Sequence, residues 1–150
     1  MPIDYLGTIA HTDGSKQGHC SCAVALIICN GCFIAEIWKK LNGRTSSGAE
    51  LAGVLEAARY FRKHKKDLCP PFKVYTDSLE VVYGYANQKV FSPKTYKKDW
   101  VELISLGKSL GVEIIHIKGH STGNGRNPNK VCDALAKTVC GMDSLQGSDT

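Results

Sequence analysis

The sequence predicts a single α/β domain built on a mixed five-stranded sheet, and two observations carry this prediction. The first 41 residues contain strand-like segments, two of which are joined through Asn30-Gly31, the strongest short hairpin signal. The later residues alternate short strand-like segments with segments whose apolar residues recur at helical spacing. The order is therefore βββαβαβα, in which the meander supplies antiparallel strands, the later segments supply parallel strands, and helices cover both faces.

The three strands of the meander are predicted from alternation and turn residues. The first strand is predicted from Ile3 to Thr12, so that Asp13 lies at its C-terminal end and 14–18 forms a polar turn. The second and third strands are predicted over 20–29 and 33–41.

The later elements are predicted from helical spacing and from Gly and Pro. A long helix is expected over 48–63, because its apolar residues recur at helical intervals. The remaining predicted elements are a strand over 72–76, a helix over 78–86, a helix from Ser92-Pro93 to Gly111, a strand over 112–118 and a closing helix from Pro128 to about Cys140. If the first and fourth strands are adjacent and parallel, Asp13 and Asp77 become neighbours, and Glu50 in the first turn of the long helix leans over them.

Composition and charge give weaker indications. The chain has 150 residues, of which 43% are hydrophobic and 22% charged, as is usual for one globular domain, predicted over 1–141 with a polar tail over 142–150. A formal charge of +5 favours an anionic partner without identifying it. The sequence has neither a membrane-span pattern nor a signal-peptide pattern nor a heptad repeat, so we expect a cytoplasmic monomer that does not bind membranes.

The cysteines leave two interpretations open. Cys20, Cys22, Cys29 and Cys32 follow His19 with spacing that resembles a zinc site. The adjoining apolar run favours buried, reduced thiols instead.

Four acids lie near predicted element boundaries, namely Asp13, Glu50, Asp77 and Asp133. Crowded carboxylates repel one another unless cations neutralise them, so a cluster drawn from distant segments favours a divalent-metal site. Each acid also has a structural interpretation. Asp13 beside Gly14 is typical of a turn, Asp77 is able to cap a helix, Glu50 is able to complete a capping box with Ser47, and Asp133 lies off the apolar stripe of its helix.

Five motifs carry a family resemblance. They are Thr-Asp-Gly-Ser at 12–15, Thr45 through Glu50-Leu51, Tyr-Thr-Asp-Ser at 75–78, Lys-Gly-His at 118–120 and Cys-Asp-Ala-Leu-Ala at 132–136. Together they resemble type 1 ribonuclease H (ribonuclease HI), in order and over nearly the whole chain. The resemblance implies a ribonuclease H-like fold and a metal-dependent endonuclease that hydrolyses the RNA strand of RNA–DNA hybrids to 3′-hydroxyl and 5′-phosphate ends.

The resemblance also implies roles for individual residues. Asp13, Glu50, Asp77 and Asp133 are the catalytic metal ligands for two Mg²⁺ ions, with Mn²⁺ as a substitute, and His120 is the mobile catalytic histidine, although a solvated loop histidine is the alternative. The substrate contacts are Gly14, Ser15, Thr45, Ser46 and Ser47. Ser46 and Ser47 replace the asparagines usual in the family, and the basic protrusion between Ala86 and Trp100 is short.

Two other classes of function remain open. A non-catalytic hybrid-binding module retains the fold without turnover. Another nuclease of the same superfamily, or a piece of a retroelement polyprotein, also fits the motifs, although Met1 and the polar tail favour a stand-alone protein.

Overall fold

A computed structural model of the chain describes residues 5–18, 20–87, 96–117, 130, 132 and 134–139. The strands are β1 (Thr8–Gln17), β2 (Cys20–Cys29), β3 (Cys32–Asn42), β4 (Phe72–Thr76) and β5 (Glu113–His116). The helices are α1 (Ser46–Lys63), α2 (Leu79–Asn87) and α3 (Lys97–Leu110), with a 3₁₀ turn at Lys65–Asp67. Residues 130, 132 and 134–139 are helical and are called the C-terminal helical residues below.

The five strands form one mixed sheet in the order β3-β2-β1-β4-β5. β1 is antiparallel to β2 and parallel to β4, and β4 is parallel to β5. The predicted fold class is therefore confirmed, as is the adjacency of the first and fourth strands. In the described part of the connection between β4 and β5, the helices are α2 and α3.

The first strand differs from its prediction. β1 begins at Thr8, and the described residues 5–7 before it are not strand, whereas the predicted start at Ile3 lies outside the described residues. β1 continues through 14–17, where a polar turn was expected. The reason is pairing with β2, which extends without interruption to Gln17 opposite Cys20. Asp13 therefore lies inside a long strand and is not a turn residue.

The hairpin between β2 and β3 confirms the prediction from Asn30-Gly31. Asn30 has φ 48° and Gly31 has φ 84°, the positive values that a tight two-residue turn requires. Cys29 and Cys32 are paired across this turn. β3 extends one residue beyond its prediction at each end.

Both faces of the sheet are covered. On one face, Ala25 and Ile27 of β2 pack with the apolar side of α1, which includes Leu51, Val54 and Phe61. On the other face, Cys22, Val24 and Leu26 pack with Cys132 and Ala136 of the C-terminal helical residues. No helix in the described part of the chain is long and apolar enough to span a membrane.

α1 lies unusually close to β1, and two glycines allow this approach. A Cβ atom on Gly14 would overlap the backbone of Ala49 and Glu50. A Cβ atom on Gly53 would lie 2.9 Å from the carbonyl oxygen of Asp13. The backbones of α1 and β1 are therefore in direct contact where the helix crosses the strand.

The start of α1 also differs from its prediction. The helix begins at Ser46, and the N-cap is Thr45, whose side chain accepts a hydrogen bond of 3.1 Å from the backbone N–H of Gly48. The interpretation of Ser47 and Glu50 as a capping box is therefore wrong, and Glu50 lies beyond the first turn of α1. α2 is capped by Ser78, which accepts from the N–H of Val81, and not by Asp77.

The end of α3 confirms its prediction. Gly111 follows Leu110 with φ 69°, the left-handed conformation that ends helices most readily in glycine. The predicted start at Ser92-Pro93 lies outside the described residues.

We expect Gly14→Ala to lower the free energy of unfolding by about 2–3 kcal/mol, because the added methyl group would have to displace the backbone of α1. Urea unfolding curves measure this change. Gly18→Ala is the matched control, since Gly18 has φ 59° but no atom within 4 Å of a Cβ, so only the conformational cost of about 1 kcal/mol applies. Equal losses for the two variants would contradict the close packing of α1 on β1.

Candidate active site

Three of the four predicted acids lie together. Oxygen atoms of Asp13, Glu50 and Asp77 all lie within 4.8 Å of one another, and this is the one group of metal-ligating side chains found in the described part of the chain. The three residues come from β1, from α1 and from the position directly after β4. Segments far apart in sequence thus meet at one edge of the sheet.

The pairing of β1 and β4 explains where this edge is. The parallel register runs from Thr8 opposite Phe72 to His11 opposite Tyr75, and then stops. β1 continues beside β2 alone, so the sheet opens on the β4 side just before Asp13. The hydroxyl of Thr12 donates to the carbonyl of Tyr75 at 3.4 Å, which holds the two strands together at the point of divergence.

The three carboxylates differ in exposure. Asp13 is 6% exposed, Glu50 is half-buried and Asp77 is exposed. The backbone N–H of Gly14 donates to Oδ1 of Asp13 at 2.9 Å. Oε2 of Glu50 is buried and has no hydrogen-bond partner among the described residues. A buried carboxylate oxygen without a donor is costly, so this atom points to a missing cationic partner.

The electrostatics of the cluster support the same interpretation. Burial, followed by the neighbouring charges of Asp13 and Asp77, raises the pKa of Glu50 from 4.5 to about 10. In the absence of a cation, Glu50 therefore keeps its proton at neutral pH. A divalent cation would reverse this preference, because it favours the ionised carboxylate.

The residues fit a hard divalent cation. Carboxylate oxygens are the ligands that Mg²⁺ and Mn²⁺ prefer, and the unpartnered Oε2 of Glu50 supplies a ligand atom that no protein donor occupies. The exposure of Asp77 leaves one side of the cluster open to water and to a phosphate group.

Asp133 and His120 lie outside the described residues, so their roles remain predictions. The neighbouring Cys132 is described, and its thiol donates to the backbone carbonyl of His11 at 3.1 Å. This bond joins the C-terminal helical residues to the strand that carries Asp13. His11 itself is buried and stacks on Tyr75 with ring centroids 5.3 Å apart.

The predicted substrate contacts lie beside the cluster. Gly14 and Ser15 follow Asp13 along β1 and are half-buried. Thr45, Ser46 and Ser47 are exposed at the start of α1, the helix that also carries Glu50. Thr45 and Glu50 are therefore held about 7.5 Å apart along one helix axis.

The cysteines do not form a metal site in the described residues. Cys20, Cys22 and Cys132 are buried in one apolar cluster, so the expected burial of the first two is confirmed. Cys29 is half-buried and Cys32 is exposed, so burial does not extend to the hairpin. His19 lies outside the described residues.

The sequence analysis missed a polar cluster around Thr45. Tyr96 accepts a hydrogen bond of 3.1 Å from the backbone N–H of Thr45, and Arg44 lies over the Tyr96 ring at 4.9 Å. Arg44 also binds Asp99 at 2.5 Å. The one local signal was Gly48, a glycine inside a helical pattern, which marks a close approach by another group.

Comparisons with known proteins agree with the fold and the motifs. The sequence model described as RNase H matches residues 7–141. The search of curated proteins found no match.

Solved structures of RNase H proteins are similar in fold. LC11-RNase H1, isolated from compost by a metagenomic approach and solved in complex with an RNA/DNA hybrid, is 18% identical with a TM-score of 0.71, over 87% of this chain and 94% of that one. The N-terminal RNase H domain of rv2228c from Mycobacterium tuberculosis, solved as a fusion with maltose binding protein, is 18% identical with a TM-score of 0.70, over 95% and 98%.

A viral protein gives a similar match over a small part of its length. The protease-reverse transcriptase of prototype foamy virus is 21% identical with a TM-score of 0.71, over 91% of this chain but only 21% of that one. The family match covers nearly the whole chain and includes all three clustered acids. The chain therefore belongs to the RNase H family and is a ribonuclease H enzyme.

Proposed function

We propose that this protein is a type 1 ribonuclease H, a metal-dependent endonuclease that hydrolyses the RNA strand of RNA–DNA hybrids and leaves 3′-hydroxyl and 5′-phosphate ends. The observation that carries the proposal is the cluster of Asp13, Glu50 and Asp77 in a chain of the RNase H family. The motif at 118–120 and Asp133 support it from the sequence. A shortened basic protrusion between Ala86 and Trp100 is part of the proposal.

The carboxylates would hold two Mg²⁺ ions, or Mn²⁺ in their place. Two such ions supply an activated water and stabilise the leaving 3′ oxygen. Asp13, Glu50 and Asp77 would hold these ions together with Asp133. His120 would move a proton or assist product release.

Hybrid binding would use the surface beside the cluster. The exposed start of α1 presents Thr45, Ser46 and Ser47, and the positive end of a helix dipole favours a phosphate there. Gly14 and Ser15 on β1 would contact the RNA strand next to the scissile bond. LC11-RNase H1 was solved with an RNA/DNA hybrid, which supports the same ligand class for this chain.

Several further features stay predictions from the sequence. They are the cytoplasmic location, the monomeric state, and the division into a domain over 1–141 and a tail over 142–150.

We expect the protein to cleave a labelled RNA–DNA hybrid in Mg²⁺ and to leave matched duplex DNA and duplex RNA intact. Asp13→Asn should lower the rate by ~100-fold or more, because even changes to the outer partners of metal ligands cost 10–100-fold. Chelation of the metal should abolish cleavage, and gel analysis of the ends should show 5′ phosphates.

If the folded protein binds hybrid but does not cut it in Mg²⁺ or Mn²⁺, the proposed enzymatic activity is overturned. A hybrid-binding module is then the remaining interpretation. Preferred cutting of another nucleic acid would indicate a different nuclease of the superfamily.

We expect Glu50→Gln to be more stable than the wild type in metal-free buffer, by an amount that grows as the pH rises. Between about pH 4.5 and 10 the folded chain holds a proton on Glu50 that the unfolded chain has released, so rising pH lowers the stability of the wild type alone. The Tm difference should reach about 4 °C or more near pH 9, the scale of 1 kcal/mol in a domain of this size.

Mg²⁺ should reverse this order, because it stabilises the ionised carboxylate of the wild type more than the amide of the variant. Thermal unfolding followed by circular dichroism, with and without Mg²⁺, measures both effects. Parallel pH profiles for the two proteins would contradict a protonated, buried Glu50.

A further inference from the structure

The N-terminus of α1 is held by a residue from outside that helix. Thr45, the N-cap, contributes its backbone N–H to the Tyr96 hydroxyl at 3.1 Å. The side-chain oxygens of Thr45 and Tyr96 are 3.4 Å apart, close enough for a second hydrogen bond. Tyr96 directly precedes α3, yet its side chain makes no capping bond to that helix. Its hydroxyl instead accepts the hydrogen bond from Thr45 at the N-terminus of α1.

Two contacts fix the Tyr96 ring in place, one over its face and one at its edge. The Arg44 guanidinium lies over the ring at 4.9 Å from the centroid. Gly48 lies against the ring edge, where a Cβ atom would be 2.5 Å from Cζ and 2.6 Å from the hydroxyl oxygen of Tyr96. Arg44 is itself held by Asp99 at 2.5 Å and by the carbonyl of Gly48 at 3.3 Å.

The Arg44–Asp99 ion pair is well shielded from water. The two side chains are 23% and 18% exposed, so solvent screens the pair less than it would screen a surface pair. Asp99 lies in the first turn of α3, where a negative charge is favoured by the helix dipole. The cluster therefore joins the loop before α1 to the start of α3.

Counting donors shows what the Thr45–Tyr96 pair offers to a ligand. The N–H groups of Gly48 and Thr45 are only able to donate, so Thr45 Oγ1 accepts from Gly48 and Tyr96 accepts from Thr45. Each hydroxyl has one hydrogen. One of these two hydrogens bridges the two oxygens, and the other has no acceptor in the described part of the chain. Because Thr45 is exposed, the pair keeps one hydroxyl donor for a ligand in either direction of the bridge.

We propose that Tyr96 is a positioning residue for the substrate, and that its hydroxyl orients the Thr45 hydroxyl so that the pair donates one hydrogen bond to a backbone phosphate of the hybrid. This proposal rests on the proposed function, in which Thr45 contacts phosphate. Arg44 and Asp99 act on the same site indirectly, because they hold the Tyr96 ring.

The test is steady-state cleavage of hybrid by Tyr96→Phe, which keeps the ring and removes the hydroxyl. We expect KM to rise about tenfold, the scale of one hydrogen bond to a charged group, and kcat to change less than twofold. The dissociation constant of the hybrid, measured by fluorescence anisotropy in Ca²⁺, should rise by the same factor.

Tyr85→Phe is the matched control. The Tyr85 hydroxyl donates to the carbonyl of Val112 at 2.6 Å, and its ring also packs against a helix glycine, Gly107. This variant should lose stability but keep the wild-type KM. Thermal unfolding of both variants separates a folding effect from a binding effect.

A double-mutant cycle tests whether the two hydroxyls act as a pair. Thr45→Ala should raise KM about tenfold, whereas Thr45→Ser should keep KM near the wild-type value. The double variant Thr45→Ala/Tyr96→Phe should have a KM less than twofold above that of Thr45→Ala alone. A hybrid with methylphosphonates in the DNA strand should reduce the difference between Tyr96→Phe and the wild type.

The outcomes separate the two proposals. If Thr45→Ala raises KM and Tyr96→Phe does not, or if the two effects add fully, the positioning role of Tyr96 is overturned while the proposed function stands. If Thr45→Ala leaves KM and the dissociation constant unchanged, both the phosphate contact and the positioning role are overturned. If the folded wild type neither binds nor cleaves hybrid, the proposed function fails and the positioning role fails with it.

Discussion

The contact between the backbones of α1 and β1 is the constraint on which the candidate site depends. Gly14 and Gly53 leave no side chain between the helix and the strand, and Glu50 is thereby brought against Asp13. A larger residue at either glycine would move the helix outward. The distance between the carboxylates of Asp13 and Glu50 therefore depends on the two glycines as well as on the acids themselves.

The same closeness explains the electrostatic state of the cluster. Packing of α1 on β1 removes water from Glu50 and places two other carboxylates beside it, so the folded chain keeps this side chain protonated until a cation enters. Burial and the neighbouring charges raise the pKa of Glu50, and a divalent cation would offset both effects because it favours the ionised carboxylate.

α1 is also held along its length by α3. Near its start, Arg44, Tyr96 and Asp99 join the helix to the first turn of α3. Nearer its end, Arg59 forms a bidentate pair with Glu102, at 2.6 and 2.7 Å. Thr45 and Glu50 lie on this one supported helix, so the predicted phosphate contact and the carboxylate cluster keep a fixed spacing.

Local patterns in the sequence were sufficient for much of this structure. Alternation and the Asn30-Gly31 turn predicted the bounds of β2, the strand over 72–76 was predicted to the residue, and Gly111 predicted the end of α3. The three clustered acids were also identified from sequence, although Asp13 lies inside β1 and Glu50 lies beyond the first turn of α1 rather than at the predicted element boundaries. Tertiary structure decided the rest. The bounds of β1 depend on a partner strand, and the N-cap of α1 is Thr45 rather than Ser47. The hydroxyl of Tyr96 accepts from the N–H of Thr45, 51 residues away in sequence. Such contacts join residues distant in sequence, and no local pattern of residues encodes them.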